Sequence, residues 1–184
     1  MKLKNKIIII GISLSLLFTT SCDIVDSLST YPVNIPYSHT FSASGTNTSI
    51  VETEQFCVND NDTYQEYSDK VNKVTFVEVA FRVISFSPSN LEGDINVYLQ
   101  DGNGVTLFTE NIQGAKPGDY VNTPYVISLT DSEIQAIDSY LATALEATGQ
   151  LCFTSGLTVQ ITTGGTTNSL QGAVDIVFEA ETEL

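Results

Sequence analysis

The sequence predicts a mainly β fold: a two-sheet antiparallel β-sandwich of about eight strands, with one inserted amphipathic helix near 131-148. Apolar and polar residues alternate in many short segments, which is typical of half-buried strands. Gly-rich turns separate these segments. The segments do not alternate with helices, as the strands of a parallel sheet would. A closed barrel that holds a ligand is the second interpretation of the same pattern.

The first predicted strands cover residues 33–43, 49–58 and 74–86. Pro32 and Pro36 have no N–H to donate, so we expect the first strand to begin at the edge of a sheet. The third strand is the longest. We expect one of its faces to carry four alternating apolar residues, namely Val77, Val79, Phe81 and Val83.

The later strands begin with a hairpin over residues 94–112. Its turn, Asp101 to Gly104, contains Gly residues that supply the positive φ angles of tight hairpins. Residues 150–154 and 157–163 are predicted to form either one strand with a bulge at Ser155 and Gly156 or a pair of strands. The remaining predicted strands cover 125–129, 150–154, 157–163 and 170–180.

A capping box predicts where the helix begins. The Thr130 hydroxyl can accept from the N–H of Glu133, whose carboxylate can accept from Thr130 in return. Apolar residues then recur at helical spacing at Ile137 and Leu141, and Gly149 stands at the expected end. A second box, from Thr63 to Glu66, predicts one or two helical turns before the third strand.

Charge excludes several function classes. The chain has 184 residues, with 22 Asp and Glu against 7 Lys and Arg and a net charge of −15. Beyond residue 21 only four bases remain, at Lys70, Lys73, Arg82 and Lys116. A nucleic-acid surface needs clustered bases, so we expect no nucleic-acid partner. The same balance argues against attraction to anionic lipid by charge.

The N-terminus has the parts of an export signal. Three lysines precede a 12-residue apolar run, Ile7 to Phe18, which is too short to span a bilayer. Thr20 and Ser21 then lead into Cys22. This start, residues 1–22, resembles the lipobox signal of bacterial lipoproteins, although Thr19 stands where Leu is usual.

The resemblance implies that Cys22 receives a diacylglycerol and fatty acyl chains such as palmitate, and becomes the mature N-terminus. We therefore expect a signal peptide over 1-21, a lipidated cysteine and short tether over 22-31, and a single sandwich domain over 32-184. Two or more acyl chains hold a protein stably at a membrane. We expect export and anchoring at the outer membrane or cell surface rather than the inner membrane. Plain secretion is the alternative.

Two cysteines remain in the mature domain, Cys57 and Cys152, each within a strand-like apolar run. An exported protein can form a disulfide, so these two are a candidate pair that bridges strands or sheets. Two free buried thiols are the alternative, because free Cys packs as a small hydrophobe.

Sites for chemistry are few. His39 is the only histidine, and the sequence puts no obvious nucleophile beside it. A zinc site lacks ligands, because the mature chain has one His and two Cys that are far apart in the sequence. A weak calcium candidate consists of Asp60, Asp62 and Glu66, which supply oxygen ligands in a short segment without the full EF-hand pattern. We expect no catalytic residues and no cofactor, with calcium as the one exception to test.

The sequence therefore favours a non-enzymatic, lipid-anchored envelope protein that acts as a structural or protein-binding module. Its edge strands could add a strand from a partner protein. A surface glycan-binding or adhesive lipoprotein is the alternative, since eight Tyr could provide stacking surfaces where Trp is absent. An acid/base hydrolase is the third hypothesis, because some pair of the 22 carboxylates could lie close together.

Overall fold

The two-sheet antiparallel sandwich is confirmed by the computed structural model, which describes residues 30–46 and 49–183. Sheet A has the strand order β1-β8-β3-β6 and sheet B the order β2-β7-β4-β5. The strands and the two α-helices of the described residues are β1 (Thr30–Gly45), β2 (Ser49–Cys57), α1 (Asp62–Tyr67), β3 (Val71–Ser87), β4 (Glu92–Asp101), β5 (Thr106–Ala115), β6 (Tyr125–Val126), α2 (Asp131–Ala147), β7 (Cys152–Thr163) and β8 (Asn168–Glu183).

Strand β1 lies at an edge of sheet A, as Pro32 and Pro36 predict, and pairs only with β8 in the described structure. Thr30 and Tyr31, which the sequence analysis placed in the tether, are the first residues of this strand. Thr30 lies opposite Glu183, so β1 begins and β8 ends at the same end of the sandwich.

The core fills the space between the two sheets and is rich in aromatic residues. Phe153 of sheet B and Phe178 of sheet A are almost fully buried, and their ring centroids are 5.2 Å apart in a stacked arrangement. Phe81 is also fully buried. Burying a side chain of this size contributes about 1.5–3 kcal/mol, so these rings hold the sheets together.

Strand β3 departs from the predicted alternation at three bulges. Phe76 pairs with Phe178 but Glu78 pairs with Val177, which leaves Val77 as an extra residue. Val77 is therefore half exposed, and the prediction that it shares the buried face of Val79 is wrong. A bulge reverses which residues of a strand face the core.

Strand β7 has no bulge at Ser155 and Gly156, which corrects that prediction. It pairs with β2 in continuous register from Ser49 to Cys57, and its pairing with β4 is continuous across the same two residues. The predicted segments 150–154 and 157–163 are thus parts of one strand. Gly156 instead leaves room for the ring of Tyr98 on the neighbouring strand β4.

Helix α2 is confirmed, with both hydrogen bonds of the capping box between Thr130 and Glu133 and a positive φ at Gly149. The short helix α1 is also present, but its N-cap is Asn61, whose side chain accepts from the N–H of Thr63. Thr63 is therefore inside the first turn and does not cap it.

Helix α2 contacts both sheets. Its Asp138 accepts a hydrogen bond from the N–H of Phe76 in sheet A, at 2.8 Å. Its Tyr140 hydroxyl donates to the carbonyl of Cys152 in sheet B, at 2.6 Å. The helix therefore bridges the two sheets.

Candidate functional site

The outward surface of sheet B is uncharged over three successive rows of residues, although the chain as a whole is strongly acidic. The pairing of β2, β7, β4 and β5 places four residues in each row, and we call these twelve residues the uncharged face. They are Gln55, Thr154, Gln100 and Thr106 in the first row, Thr53, Gly156, Tyr98 and Thr109 in the second, and Val51, Thr158, Asn96 and Asn111 in the third.

Tyr98 lies flat at the centre of this face, on Gly156 of the neighbouring strand. A Cβ built at residue 156 would meet Cζ of Tyr98 first and would be equally far from both Cε atoms, closer than any real contact. The phenol oxygen is not among the nearest atoms, so one face of the ring covers the glycine. Tyr98 is half-buried, which fits a ring whose other face is turned to water. Any side chain at residue 156 would displace the ring.

Amide and hydroxyl groups surround Tyr98. The Asn96 side-chain amide donates to Asn111 Oδ1 at 2.7 Å and to Thr109 Oγ1 at 3.0 Å. These bonds fix the orientation of Asn96. Within the described residues, the side chains of Thr53 and Gln55 make no hydrogen bond and are exposed. They can therefore donate to and accept from a ligand.

The outward surface of sheet A differs sharply. There Arg82 forms an ion pair with Asp175, which also accepts from the Ser38 hydroxyl at 2.6 Å. Lys73 and Glu181 form a second pair, at 3.0 Å. Both of these ion pairs lie on the outward surface of sheet A, whereas the twelve residues of the uncharged face on sheet B carry no charge.

His39 lies between the sheets beside a serine that the sequence analysis did not identify. Its Nδ1 is 3.4 Å from Ser155 Oγ, and its Nε2 is 3.8 Å from Glu54 Oε2. These residue types could form a nucleophile, a base and an orienting carboxylate. However, Ser155 is 0% exposed and His39 only 3%, so a substrate cannot approach the hydroxyl in this arrangement.

Two tyrosines lie at the open sides of the sandwich. The Tyr37 hydroxyl is buried without a hydrogen-bond partner in the described structure, and burial together with the charge of Glu54 raises its pKa far above the ordinary value. On the opposite side, Tyr125 of β6 donates to Glu110 of β5 at 2.9 Å. That hydrogen bond raises the pKa of the Tyr125 phenol.

The two mature cysteines are joined. Cys57 and Cys152 lie directly opposite each other on β2 and β7, and they form a disulfide. The bond lines a surface groove of about 200 Å³ together with Asp60 and Gly102. It ties edge strand β2 to the centre of sheet B.

The calcium candidate does not form a cluster. Asp60, Asp62 and Glu66 are all exposed, and Asn61 between them is used to cap α1. In the described part of the chain, no three His, Cys, Asp or Glu side chains converge closely enough to hold a metal ion.

Cys22 and the rest of the predicted lipobox lie outside the described residues. Among the helices of residues 30–46 and 49–183, none has the length and apolar character to cross a membrane.

None of the eight tyrosines is fully exposed, so the row of open Tyr rings that would mark a broad glycan platform is not formed. Tyr98 alone lies on the uncharged face.

Comparisons with known proteins find only distant structural similarities. No protein-family model and no curated protein matches the chain. A structure from Desmodium yellow mottle tymovirus is 11% identical with a TM-score of 0.44, covering 84% of this chain and 89% of that one. The VP2 subviral particle of infectious bursal disease virus is 13% identical with a TM-score of 0.35, over 84% of this chain. The match spans about a third of VP2, 36% of its chain. Likenesses this distant identify no family.

Proposed function

We propose that this protein is a non-enzymatic binding module of the bacterial envelope, held at the outer membrane or cell surface by acyl chains on Cys22. The observation that carries the proposal is the lipobox-like start, in which a lysine-rich end and an apolar run lead directly into Cys22. Two or more acyl chains make such an anchor stable.

The structure supports the placement of the sandwich close to the anchor. The described residues begin with strand β1 at Thr30, and seven residues of sequence lie between Cys22 and Thr30. At about 3.3–3.6 Å per residue, this segment reaches at most ~25 Å. The anchored end is the end at which Thr30 pairs with Glu183. Strand β1 leads away from that end, so an anchor there leaves the outer surfaces of the sheets open to the aqueous phase.

The burial of Ser155 supports the non-enzymatic part of the proposal. It is the serine beside the single histidine, and it has no exposed surface. The contact between His39 and Ser155 connects the two sheets instead. Its geometry therefore favours a packing role over acyl transfer, since a nucleophile must reach its substrate.

Partner binding by strand addition is disfavoured by the edges themselves. Pro32 and Pro36 interrupt the N–H row of β1. The edge strands of sheet B carry Glu54 and Glu110 on the side that faces the core, and inward charges of this kind discourage pairing with another chain. A sheet face is a better binding surface than an edge in this molecule.

Fractionation of Cys22→Ser tests the anchor. We expect the wild-type protein to pellet with membranes and to move into the detergent phase, and the variant to remain in the aqueous phase. The double variant Cys57→Ser/Cys152→Ser is the control, because it removes two cysteines but keeps Cys22. A Cys22→Ser protein that still pellets with detergent-extractable membranes contradicts the proposal.

Glycan binding is the second candidate function, and the uncharged face favours it. This face combines an outward-facing aromatic ring at Tyr98 with amide and hydroxyl groups on all four strands. Sugars present both apolar C–H faces and hydroxyl edges, so such a surface matches their chemistry.

A further inference from the structure

The absence of charge on the uncharged face restricts the ligands that it can bind. Over residues 22–184 the chain has 4 bases and 22 acids, yet all twelve residues of the face are neutral. Asp94 lies in the next row, where its carboxylate accepts from the N–H of Gly114 at 2.8 Å, and Asp60 lies at the groove beside Gln55 and Thr154. An anionic polymer would find no base on this face and would be repelled by the acidic chain around it.

The placement of Tyr98 points to a flat ligand. Because Gly156 lets the ring lie on the sheet, the outer side of the ring forms a flat platform on the sheet surface. Three rows along the strands and four strands across give a patch of roughly 14 Å by 14 Å. A patch with a single aromatic ring lacks the cluster of buried aromatic anchors on which protein interfaces depend.

The polar groups around the ring suit hydroxyl ligands. Asn96 is held by Thr109 and Asn111, so its position does not have to be fixed at the moment of binding. Pre-positioned groups of this kind lower the entropic cost of association. Thr53 and Gln55 are exposed on the same face and can each donate and accept a hydrogen bond.

We propose that the uncharged face binds a neutral polysaccharide chain, with one sugar ring stacked on Tyr98 and its hydroxyls bonded to the flanking amides and hydroxyls. This inference rests on the second candidate function and names its ligand class and its central residue.

Affinity electrophoresis of the full chain in detergent tests the inference, with dextran, mannan, xylan and laminarin as neutral probes and alginate and heparin as acidic ones. We expect at least one neutral polymer to slow the protein and neither acidic polymer to do so. Tyr98→Ala should weaken that binding about tenfold, the loss typical of a central contact residue. Tyr98→Phe keeps the ring and should bind within about twofold of wild type.

Two further variants keep the test decisive if Tyr98→Ala fails to fold. Thr53→Glu places a charge on the exposed rim of the uncharged face and should reduce binding, whereas Thr40→Glu on the outer surface of sheet A should not. Binding of acidic polymers only, binding of no neutral polymer, or equal loss in both Glu variants overturns the inference. A protein that fractionates with membranes but binds no neutral polymer overturns this inference alone and leaves the anchor proposal in place.

Discussion

The Asp138 carboxylate of α2 accepts a hydrogen bond, 2.8 Å long, from the backbone N–H of Phe76 in β3. This N–H lies directly beside the bulge at Val77, where the ladder between β3 and β8 is interrupted. The helix therefore supplies an acceptor at the position where the strand pairing is disturbed, and this bond anchors α2 to sheet A.

Removing the Asp138 carboxylate should destabilise the folded protein. We expect Asp138→Ala to lower the free energy of unfolding by about 1–3 kcal/mol, because a partly buried N–H is left without a partner. Urea denaturation measures the change. Asp138→Asn is the matched control, since it keeps an acceptor oxygen and should lose less. Equal losses in the two variants would show that the carboxylate charge, and not the bond to Phe76, stabilises the helix.

Gly156 and Tyr98 should be coupled. Gly156→Ala places a methyl group where the Tyr98 ring now lies, so we expect a loss of about 1–3 kcal/mol in the free energy of unfolding. In the background of Tyr98→Ala the same substitution should cost much less, since the obstructing ring is gone. A double-mutant cycle measures this coupling. Additive effects would be inconsistent with a ring that lies on the glycine.

The disulfide should contribute strongly to stability. Cys57 and Cys152 are separated by 95 residues, and the chain-entropy model gives about 4.7 kcal/mol for a loop of this length. We expect Cys57→Ser/Cys152→Ser to unfold at clearly lower urea than wild type. Reduced wild-type protein should behave like the double variant, and Cys22→Ser should behave like oxidised wild type. An unchanged midpoint after reduction would rule out this contribution.

The raised pKa of Tyr37 predicts that the folded protein loses stability at alkaline pH. Its pKa is raised in the folded protein by burial and by Glu54, so the unfolded phenol, with a pKa of about 10, ionises first. The stabilisation is complete below that pH and is lost as the pH rises toward the folded pKa. We expect the free energy of unfolding to fall above pH ~10, and less steeply in Tyr37→Phe. Identical slopes for the two proteins would contradict this assignment.

Local patterns were sufficient to predict the fold class, the edge position of β1 and helix α2. The capping box at Thr130 and the prolines of β1 act over a few residues, so the sequence displays them directly. The bulges of β3 were not predictable in this way. Val77 is exposed because of the register against β8, and the spacing of apolar residues does not record that register.

The candidate site depends on which strands are neighbours. Each strand of sheet B shows polar residues at alternate positions, but only the order β2-β7-β4-β5 brings Thr53, Gly156, Tyr98 and Thr109 into one row. The pairing of His39 with Ser155 was missed for the same reason, because 116 residues separate them. Gly156 in a strand was the available signal, since glycine there marks either a bulge or a close approach.

The most direct test of the account is the mass of the mature N-terminus. Intact-mass and peptide mass spectrometry of the protein extracted from membranes should show a chain that begins at Cys22 and carries a diacylglycerol with fatty acyl groups. An unmodified Cys22, or a chain that retains residues 1–21, would contradict the lipid anchor on which the proposed function rests.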